Sequence, residues 1–324
     1  MTSRRVVVTG IAGFIGSTLA EKLLASDPSI EIVGIDRFTD YYPREIKSAN
    51  VESLRDSGVT IVEEDIVGLD LDELLDGTEV IFHQAGQPGV RPSWGNSFDA
   101  YTHDNILASQ RLLEAARRST SLKRFVYASS SSVYGDAERF PTLETDTPHP
   151  LSPYGVTKLA AEHLMGLYAR NFGVPTVSLR YFTVFGPRQR PDMAFTRFIT
   201  RALLGRPIQL FGTGEQIRDF TFVDDVVRAN MAAASAAAVS PGSVYNVSGG
   251  GSVSVNDVLG TIEQIIGKPI EVERSEKVAG DVFRTGGSFE QAKNSMKWEP
   301  SVAIAEGLER QVQWLEPLVG TYSP

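Results

Sequence analysis

Tyr154 and Lys158 stand four residues apart in Tyr154-Gly155-Val156-Thr157-Lys158, directly after Pro153. On a helix, residues i and i+4 share one face, so the phenol and the ammonium lie side by side. A neighbouring cation favours the phenolate, and a phenol whose pKa falls towards neutrality can take a proton from an alcohol and return it. The same spacing is common on surface helices, where the two side chains only face water. Upstream, Ala128-Ser129-Ser130-Ser131-Ser132-Val133-Tyr134-Gly135 follows the strand-like Phe125-Val126-Tyr127. A hydroxyl at the carboxyl end of such a strand can bond the reacting oxygen. Without those flanks, four serines in a row would mark a flexible loop.

A second cluster lies near the N-terminus, where Thr9-Gly10-Ile11-Ala12-Gly13-Phe14-Ile15-Gly16 follows the apolar run Val6-Val7-Val8. Glycine lets a strand-to-helix turn come close to a pyrophosphate, whose charge then meets free amides and the positive helix end. Gly10, Gly13, Phe14, Ile15 and Gly16 are the expected contacts. The spacing is G-x-x-G-x-x-G rather than G-x-G-x-x-G, and a bare glycine pattern is usually just a tight turn. Asp36 supplies context: it closes Ile32-Val33-Gly34-Ile35-Asp36 about twenty positions on, where a carboxylate binds the ribose hydroxyls of an adenosine. This favours NAD over NADP. Arg37 either reaches a 2′-phosphate or is a solvated charge. Asp65-Ile66 follows the third strand, where Asp65 either meets the adenine edge or caps a loop. With a dinucleotide present, proton transfer at Tyr154 can accompany hydride exchange with the nicotinamide.

These groups need a scaffold. Short apolar runs alternate with segments of helical period, the pattern of a parallel sheet covered on both faces. Strands are expected at 4–9, 31–36, 60–63, 79–83, 124–129 and 176–181, with helices at 14–25, 100–118 and 153–171. After Gly186 the texture turns charged and turn-rich, and helices are expected at 194–204, 224–238, 255–266 and 302–315. The expected fold class is α/β, a doubly wound parallel sheet (Rossmann) with a smaller C-terminal α/β substrate lobe. Residues 1–182 and 220–248 are assigned to the dinucleotide-binding domain, and 183–219 with 249–324 to the substrate domain.

Composition narrows the chemistry. The 324 residues are enough for two lobes, and the hydrophobic content of 42% suits a buried core. Lys plus Arg number 31 against 40 Asp plus Glu, so 31 − 40 = −9 at neutral pH. A negative surface repels phosphate backbones, and no nucleic-acid partner is expected. With no cysteine, disulfides, zinc–thiolate sites and thiol nucleophiles are excluded. His83, His103, His149 and His163 show no ligand spacing, so no metal site is expected. Glycines interrupt the apolar run after Arg4 and Arg5, and no stretch approaches the roughly 18 to 20 apolar residues of a membrane span. The expected setting is cytoplasmic.

Together, these segments resemble the extended short-chain dehydrogenase/reductase family, specifically its NAD-dependent nucleotide-sugar epimerases and dehydratases. The likeness covers nearly the whole chain. It also includes Phe82-His83-Gln84-Ala85-Gly86, Leu179-Arg180-Tyr181-Phe182-Thr183-Val184-Phe185-Gly186-Pro187 and Gly214-Glu215-Gln216-Ile217-Arg218-Asp219-Phe220. The resemblance implies that Tyr154 is the acid/base, that Lys158 lowers its pKa and holds the nicotinamide ribose, and that Ser130 orients the substrate hydroxyl. It also implies that Arg218 contacts the sugar-nucleotide diphosphate and that Asp281 holds the nucleotide ribose. The alternative for Arg218, a surface ion pair with Asp219 or its neighbours, is disfavoured by the whole motif, while Asp281 would look the same as a plain loop acid. Relatives commonly dimerise by pairing the helices that correspond to 100–118 and 153–171 into a four-helix bundle, so a homodimer is expected.

Family dehydratases and decarboxylases carry acidic residues where this chain has Ser131 and Ser132, which leaves proton removal at carbon 5 without a base and favours epimerisation at carbon 4. Thr183 replaces a common asparagine, and Arg188-Gln189-Arg190-Pro191-Asp192-Met193-Ala194 is similar to the corresponding string of UDP-glucuronate 4-epimerases. A hydroxyl and a guanidinium suit a carboxylate at carbon 6. The alternative is that Arg188 and Arg190 only shape a solvated loop. The segments from Asp36 to Pro43 and Gly89-Val90-Arg91 strengthen the uronate reading, with Arg91 a further substrate contact. The expected substrate is therefore a UDP-sugar, most readily UDP-glucuronate. A UDP-glucose 4-epimerase and a non-catalytic NAD-binding sensor are the alternatives.

Overall fold

The computed structural model describes residues 4–276 and 282–322. Its strands are β1 (Arg5–Thr9), β2 (Glu31–Ile35), β3 (Thr60–Val62), β4 (Thr78–His83), β5 (Arg124–Ser130), β6 (Thr176–Tyr181), β7 (Thr183–Phe185), β8 (Ile208–Phe211), β9 (Ile217–Arg218), β10 (Phe220–Phe222), β11 (Ser243–Val247), β12 (Val253–Ser254) and β13 (Val272–Ser275). Seven of them form one sheet in the order β11-β6-β5-β4-β1-β2-β3, every pairing parallel. The runs are continuously apolar because both faces are covered. Val6 and Val8 join one buried cluster while Val7 joins the other. Likewise Val126 and Ala128 face one way, and Phe125 and Tyr127 the other.

The first face packs against the helices Phe14–Ser26, Arg44–Asp56 and Val223–Ser235 and runs on without a break into Phe185, Phe222, Ile262, Leu308 and Leu315. The second face packs against Ala108–Ala116 and Pro153–Phe172. From β1 the chain builds outwards to β2 and β3, then returns to add β4, β5, β6 and β11 on the other side. The carboxyl ends of β1 and β4 therefore flank the point where the strand order reverses, the usual place for a ligand crevice.

The six expected strands form within a residue or two, and Asp36 lies just past the end of β2. The seventh, Ser243–Val247, is interrupted by the polar Ser243 and Asn246 and does not stand out from the sequence. The expected helix 153–171 spans Pro153–Phe172, started by Ser152, whose hydroxyl accepts from Gly155 N, and stopped by Gly173 at φ +70°. The expected continuous helix 100–118 is instead Phe98–Tyr101, a π-helical segment Thr102–Leu107, and Ala108–Ala116. At the wide turn, Asn105 receives Gln87 N at 2.8 Å and donates to Thr157 Oγ1 at 2.9 Å. Helix Arg44–Asp56 escaped the sequence reading because its buried stripe includes Lys47 and Asn50 as well as Ile46, Val51 and Leu54.

Two buried polar networks pin the strand ends. Thr9 Oγ1 lies 2.7 Å from His83 Nδ1 and receives Ala85 N, while His83 Nε2 lies 2.9 Å from Ser109 Oγ, which donates to Asn105 O. The serine's only proton is committed, so Nε2 carries the ring proton, and burial pushes His83 down to about 3, keeping it neutral. Beside β5, Arg180 forms a buried ion pair with Glu162 at 2.6 Å, and Glu162 also receives the Ser129 hydroxyl at 2.7 Å. Tyr134 and Asn246 extend this network from β5 to β11. Among the described residues no helix is long and apolar enough to cross a membrane.

Replacing Arg180 with Met strands the buried Glu162 carboxylate. We expect a loss of about 3–5 kcal/mol in urea unfolding; a loss under about 1 kcal/mol would mean that the carboxylate finds another partner.

Candidate active site

Two of the three glycines of the first turn, Gly10 and Gly16, are forced by contact. Gly10 has φ +69°, and a Cβ on it would lie 2.8 Å from Ala85 N. A Cβ on Gly16 would lie 2.2 Å from the Gly10 carbonyl oxygen. Gly13 starts the helix Phe14–Ser26 without a side-chain cap, so the first helical amides are left to whatever sits at this end. Gly10, Gly13, Phe14, Ile15 and Gly16 all line one cavity of about 250 Å³ that also takes in Asp36, Asp65, Ile66, Tyr154 and Lys158. Every cofactor-binding residue expected from sequence thus meets in one space.

Asp36 is fixed by two backbone amides, Ala12 N to Oδ2 at 3.1 Å and Phe38 N to Oδ1 at 2.8 Å. Burial nevertheless raises its pKa. Arg37 is partly exposed but not free: its guanidinium bonds Asp65 at 2.8 Å and Asp104 at 2.6 Å. Two carboxylates already satisfy it, which disfavours a 2′-phosphate. Asp65 lines the cavity and also caps the short turn Ile66–Gly68 through Val67 N, so the cap reading holds alongside the lining position.

At the other end of the cavity, Tyr154 sits in the first turn of Pro153–Phe172 and is hydrogen-bonded to Ser130, the last residue of β5. Its ring meets Tyr101 edge-on at 6.3 Å. Lys158 Nζ donates to Ala128 O at 3.1 Å and lies over the Tyr127 ring at 5.3 Å. The expected lowering of the Tyr154 pKa by Lys158 is not what the protein shows. Burial raises the phenol, with the Ser130 hydrogen bond and the Arg190 charge pulling the other way. The cation acting on the phenol is Arg190, while burial drives the Lys158 ammonium down to about 8.

Arg190 lines the cavity with Tyr154 and is paired with Asp192 through both Nε and Nη2 at 2.9 Å. Its companions are more distant. Thr183 is half-buried on β7 and lies outside the cavity lining. Arg91 is exposed, its guanidinium 4.7 Å from the Phe211 ring. Arg218 donates to the carbonyl oxygens of Val282 at 2.6 Å and Phe283 at 3.0 Å, so it clamps that segment. Asp281, immediately before, lies outside the described residues. Arg188, the other loop arginine, turns away and bonds Glu21 at 2.7 Å.

Sequence reading did not single out Lys47, Gln84 or Tyr181, which also line the cavity. Gln84 and Tyr181 are joined through Asn230, with Gln84 Nε2 to Asn230 Oδ1 at 2.9 Å and Asn230 Nδ2 to the Tyr181 hydroxyl at 2.8 Å. Lys47 lies over the Tyr42 ring at 4.6 Å and bonds Thr39 Oγ1 at 2.9 Å. Its one legible signal is a lysine on the buried stripe of an otherwise ordinary helix. Among the described residues no group of His, Asp and Glu could hold a metal ion.

The Lys158 shift has a sign that can be tested. The unfolded chain keeps this proton to the ordinary 10.5, whereas the folded chain loses it near 8. Between those values the folded state binds fewer protons, so this group makes stability rise with pH. Relative to Lys158→Met, the native protein stripped of nucleotide should gain up to about 1.4 kcal/mol per pH unit from about pH 8 upward. A pH-independent difference in chemical denaturation would show that the buried ammonium stays protonated.

The chain has close counterparts along its whole length. It is 42% identical over 315 residues to a Bacillus subtilis protein named as an uncharacterized UDP-glucose epimerase, with 97% of this chain and 98% of that one covered. It is 35% identical over 315 residues to a UDP-glucuronate 4-epimerase of Thermodesulfobacterium geofontis, 95% of each being covered. The crystal structure of UDP-glucuronic acid 4-epimerase from Bacillus cereus, in complex with UDP-glucuronic acid and NAD, matches with a TM-score of 0.93 and 41% identity, over 97% of this chain and 99% of that one. A profile described as the NAD dependent epimerase/dehydratase family matches residues 6–248, and with relatives this similar over nearly their full length, the chain belongs to that family.

Proposed function

We propose that the protein is an NAD-dependent 4-epimerase of UDP-sugars and that its substrate is UDP-glucuronate, converted to UDP-galacturonate. The observation that carries the substrate reading is the Arg190 guanidinium lining the same cavity as the Tyr154 phenol. The solved relative with UDP-glucuronic acid and NAD supports it, as does the absence of a carboxylate at Ser131 and Ser132.

The residues present fit NAD. The glycine turn lines the cavity and leaves the helix start without a side-chain cap, Asp36 lines the same cavity, and Arg37 is neutralised. Bound NAD takes hydride from carbon 4 and gives it back. Tyr154 accepts the carbon-4 hydroxyl proton, with Ser130 aligning that hydroxyl through its bond to the phenol. Lys158, which lines the cavity with its Nζ held by Ala128 O, would hold the nicotinamide ribose. Tyr154 then returns the proton after the keto sugar has turned over. Arg190 holds the carboxylate at carbon 6, Arg218 the diphosphate and Asp281 the nucleotide ribose, with Thr183 and Arg91, both outside the cavity lining, as further contacts once the sugar is bound. In this scheme residues 1–182 and 220–248 serve the dinucleotide, and 183–219 with 249–324 the sugar nucleotide. The setting is cytoplasmic.

Holding the carboxylate has a second purpose. The 4-keto intermediate of a uronate is a β-keto acid, and one free to rotate loses carbon dioxide. UDP-glucose is the competing substrate, favoured by the name of the Bacillus subtilis relative. Incubation with each sugar and identification of the product separates the two. Formation of UDP-galactose from UDP-glucose, with UDP-glucuronate untouched, would overturn the uronate reading.

We also propose a homodimer. Val156 and Leu167 are about half exposed on one side of Pro153–Phe172, three turns apart, and Leu107 is exposed on the neighbouring segment. An apolar stripe shared by two adjacent helices suits a four-helix bundle with a second copy. Leu167→Glu should shift sedimentation from dimer to monomer; an unchanged dimer would place the interface elsewhere.

Tyr154→Phe removes the proton carrier and keeps the shape. Turnover should fall by about 10²–10⁴-fold with NAD still retained; undiminished turnover would defeat both the acid/base assignment and the mechanism built on it.

A further inference from the structure

The loop from Gly186 to Met193 carries Arg190 into the cavity, and its backbone is unusual at two places, Gly186 at φ +133° and Arg188 at φ +68°. Asp192, the partner of Arg190, belongs to the same loop, so that ion pair travels with the loop and does not anchor it. The anchor lies underneath. Gln189, Thr196 and Gln311 are all fully buried there.

Their hydrogen bonds close on one another. Gln189 Nε2 donates to Val184 O at 3.0 Å, and its Oε1 receives Thr196 N and Gln311 Nε2, each at 3.0 Å. Thr196 Oγ1 lies 3.1 Å from the Gln189 carbonyl oxygen and receives Gln311 Nε2 at 3.3 Å. Gln311 Oε1 accepts Gly186 N at 3.0 Å. Gln311 therefore grips the first residue of the loop and the residue next to Arg190 at the same time. It comes from the helix Ile304–Leu315, which approaches closely because Gly307, one turn earlier, carries no side chain; a Cβ there would lie 2.6 Å from the Phe185 ring.

We infer that Gln311 is a positioning residue for the reaction: through Gln189 and Thr196 it fixes the backbone of this loop, and so holds the Arg190 guanidinium where the sugar carboxylate must sit. The inference rests on the uronate reading above. Its chemical consequence follows from the keto intermediate. Carbon dioxide leaves when the bond from carbon 5 to carbon 6 lines up with the carbon-4 carbonyl π system. That bond breaks, its electron pair becomes the enolate of the ketone, and a proton from water closes carbon 5. A guanidinium gripping the carboxylate opposes that alignment, and a loosened loop permits it.

Gln311→Met keeps the side-chain length and deletes its three hydrogen bonds, and Thr196→Val disturbs the same cluster from its other member. Both are measured as full-length, NAD-loaded protein: affinities for UDP-glucuronate and for UDP by calorimetry, and carbon dioxide released per turnover. UDP-glucuronate affinity should fall about tenfold, with UDP affinity and NAD retention within about twofold of native, and the share of turnovers ending in carbon dioxide should rise. Native-like UDP-glucuronate affinity and product ratio in a folded variant would overturn the inference. So would an equal loss for UDP and UDP-glucuronate, or failure of both variants to fold, since the cluster would then serve only the core. If the native enzyme neither binds nor epimerises UDP-glucuronate, the uronate reading itself falls, and this inference with it.

Discussion

Holding a phenol and an ammonium group within one helical turn at the wall of a cavity is the demand that the rest of the molecule answers. Burial opposes the charged form of each, raising Tyr154 and lowering Lys158. Each group has protein partners: Ser130 for the phenol, Ala128 O and the Tyr127 face for the ammonium. These partners all stand on β5, and β5 is in turn braced from behind by Glu162, Arg180 and Tyr134. A reactive corner of this kind needs a stiff wall, because a partner displaced by a fraction of its bond length leaves a buried polar group unsatisfied.

The sequence disclosed the wall and most of the corner. Short apolar runs located six strands, and the glycine turn with Asp36 located the dinucleotide end, because each depends on local spacing. What it could not disclose depends on contacts between distant segments. The π-helical stretch around Asn105 is accompanied by bonds to Gln87 and Thr157. The neutralisation of Arg37 needs Asp65 and Asp104, 28 and 67 residues away. The Tyr154–Lys158 spacing was legible, but its electrostatics was not. Helical neighbours suggested that Lys158 tunes the phenol, whereas folding brings Arg190 to it from another part of the chain.

Arginines illustrate how far residue type alone can lead. Arg188 and Arg190 are two residues apart and look equivalent on paper. Arg188 adopts a left-handed backbone and bonds Glu21 on the first helix, while Arg190 enters the cavity. Arg218 grips the backbone of Val282 and Phe283, so its guanidinium joins β9 to the segment that follows the undescribed residues. Three identical side chains thus become a brace, a cavity-lining cation and a clamp, decided by the backbone that carries each.

The apolar cluster on one face of the central sheet continues unbroken through Phe185 and Phe222 to Leu308 and Leu315. The halves that would serve cofactor and sugar therefore share a single interior, and neither can be lifted off without tearing it. A lineage built this way has no cassette to exchange when a new sugar is to be used. Its repertoire must change by single replacements along the rim, each tried against an interior that stays the same.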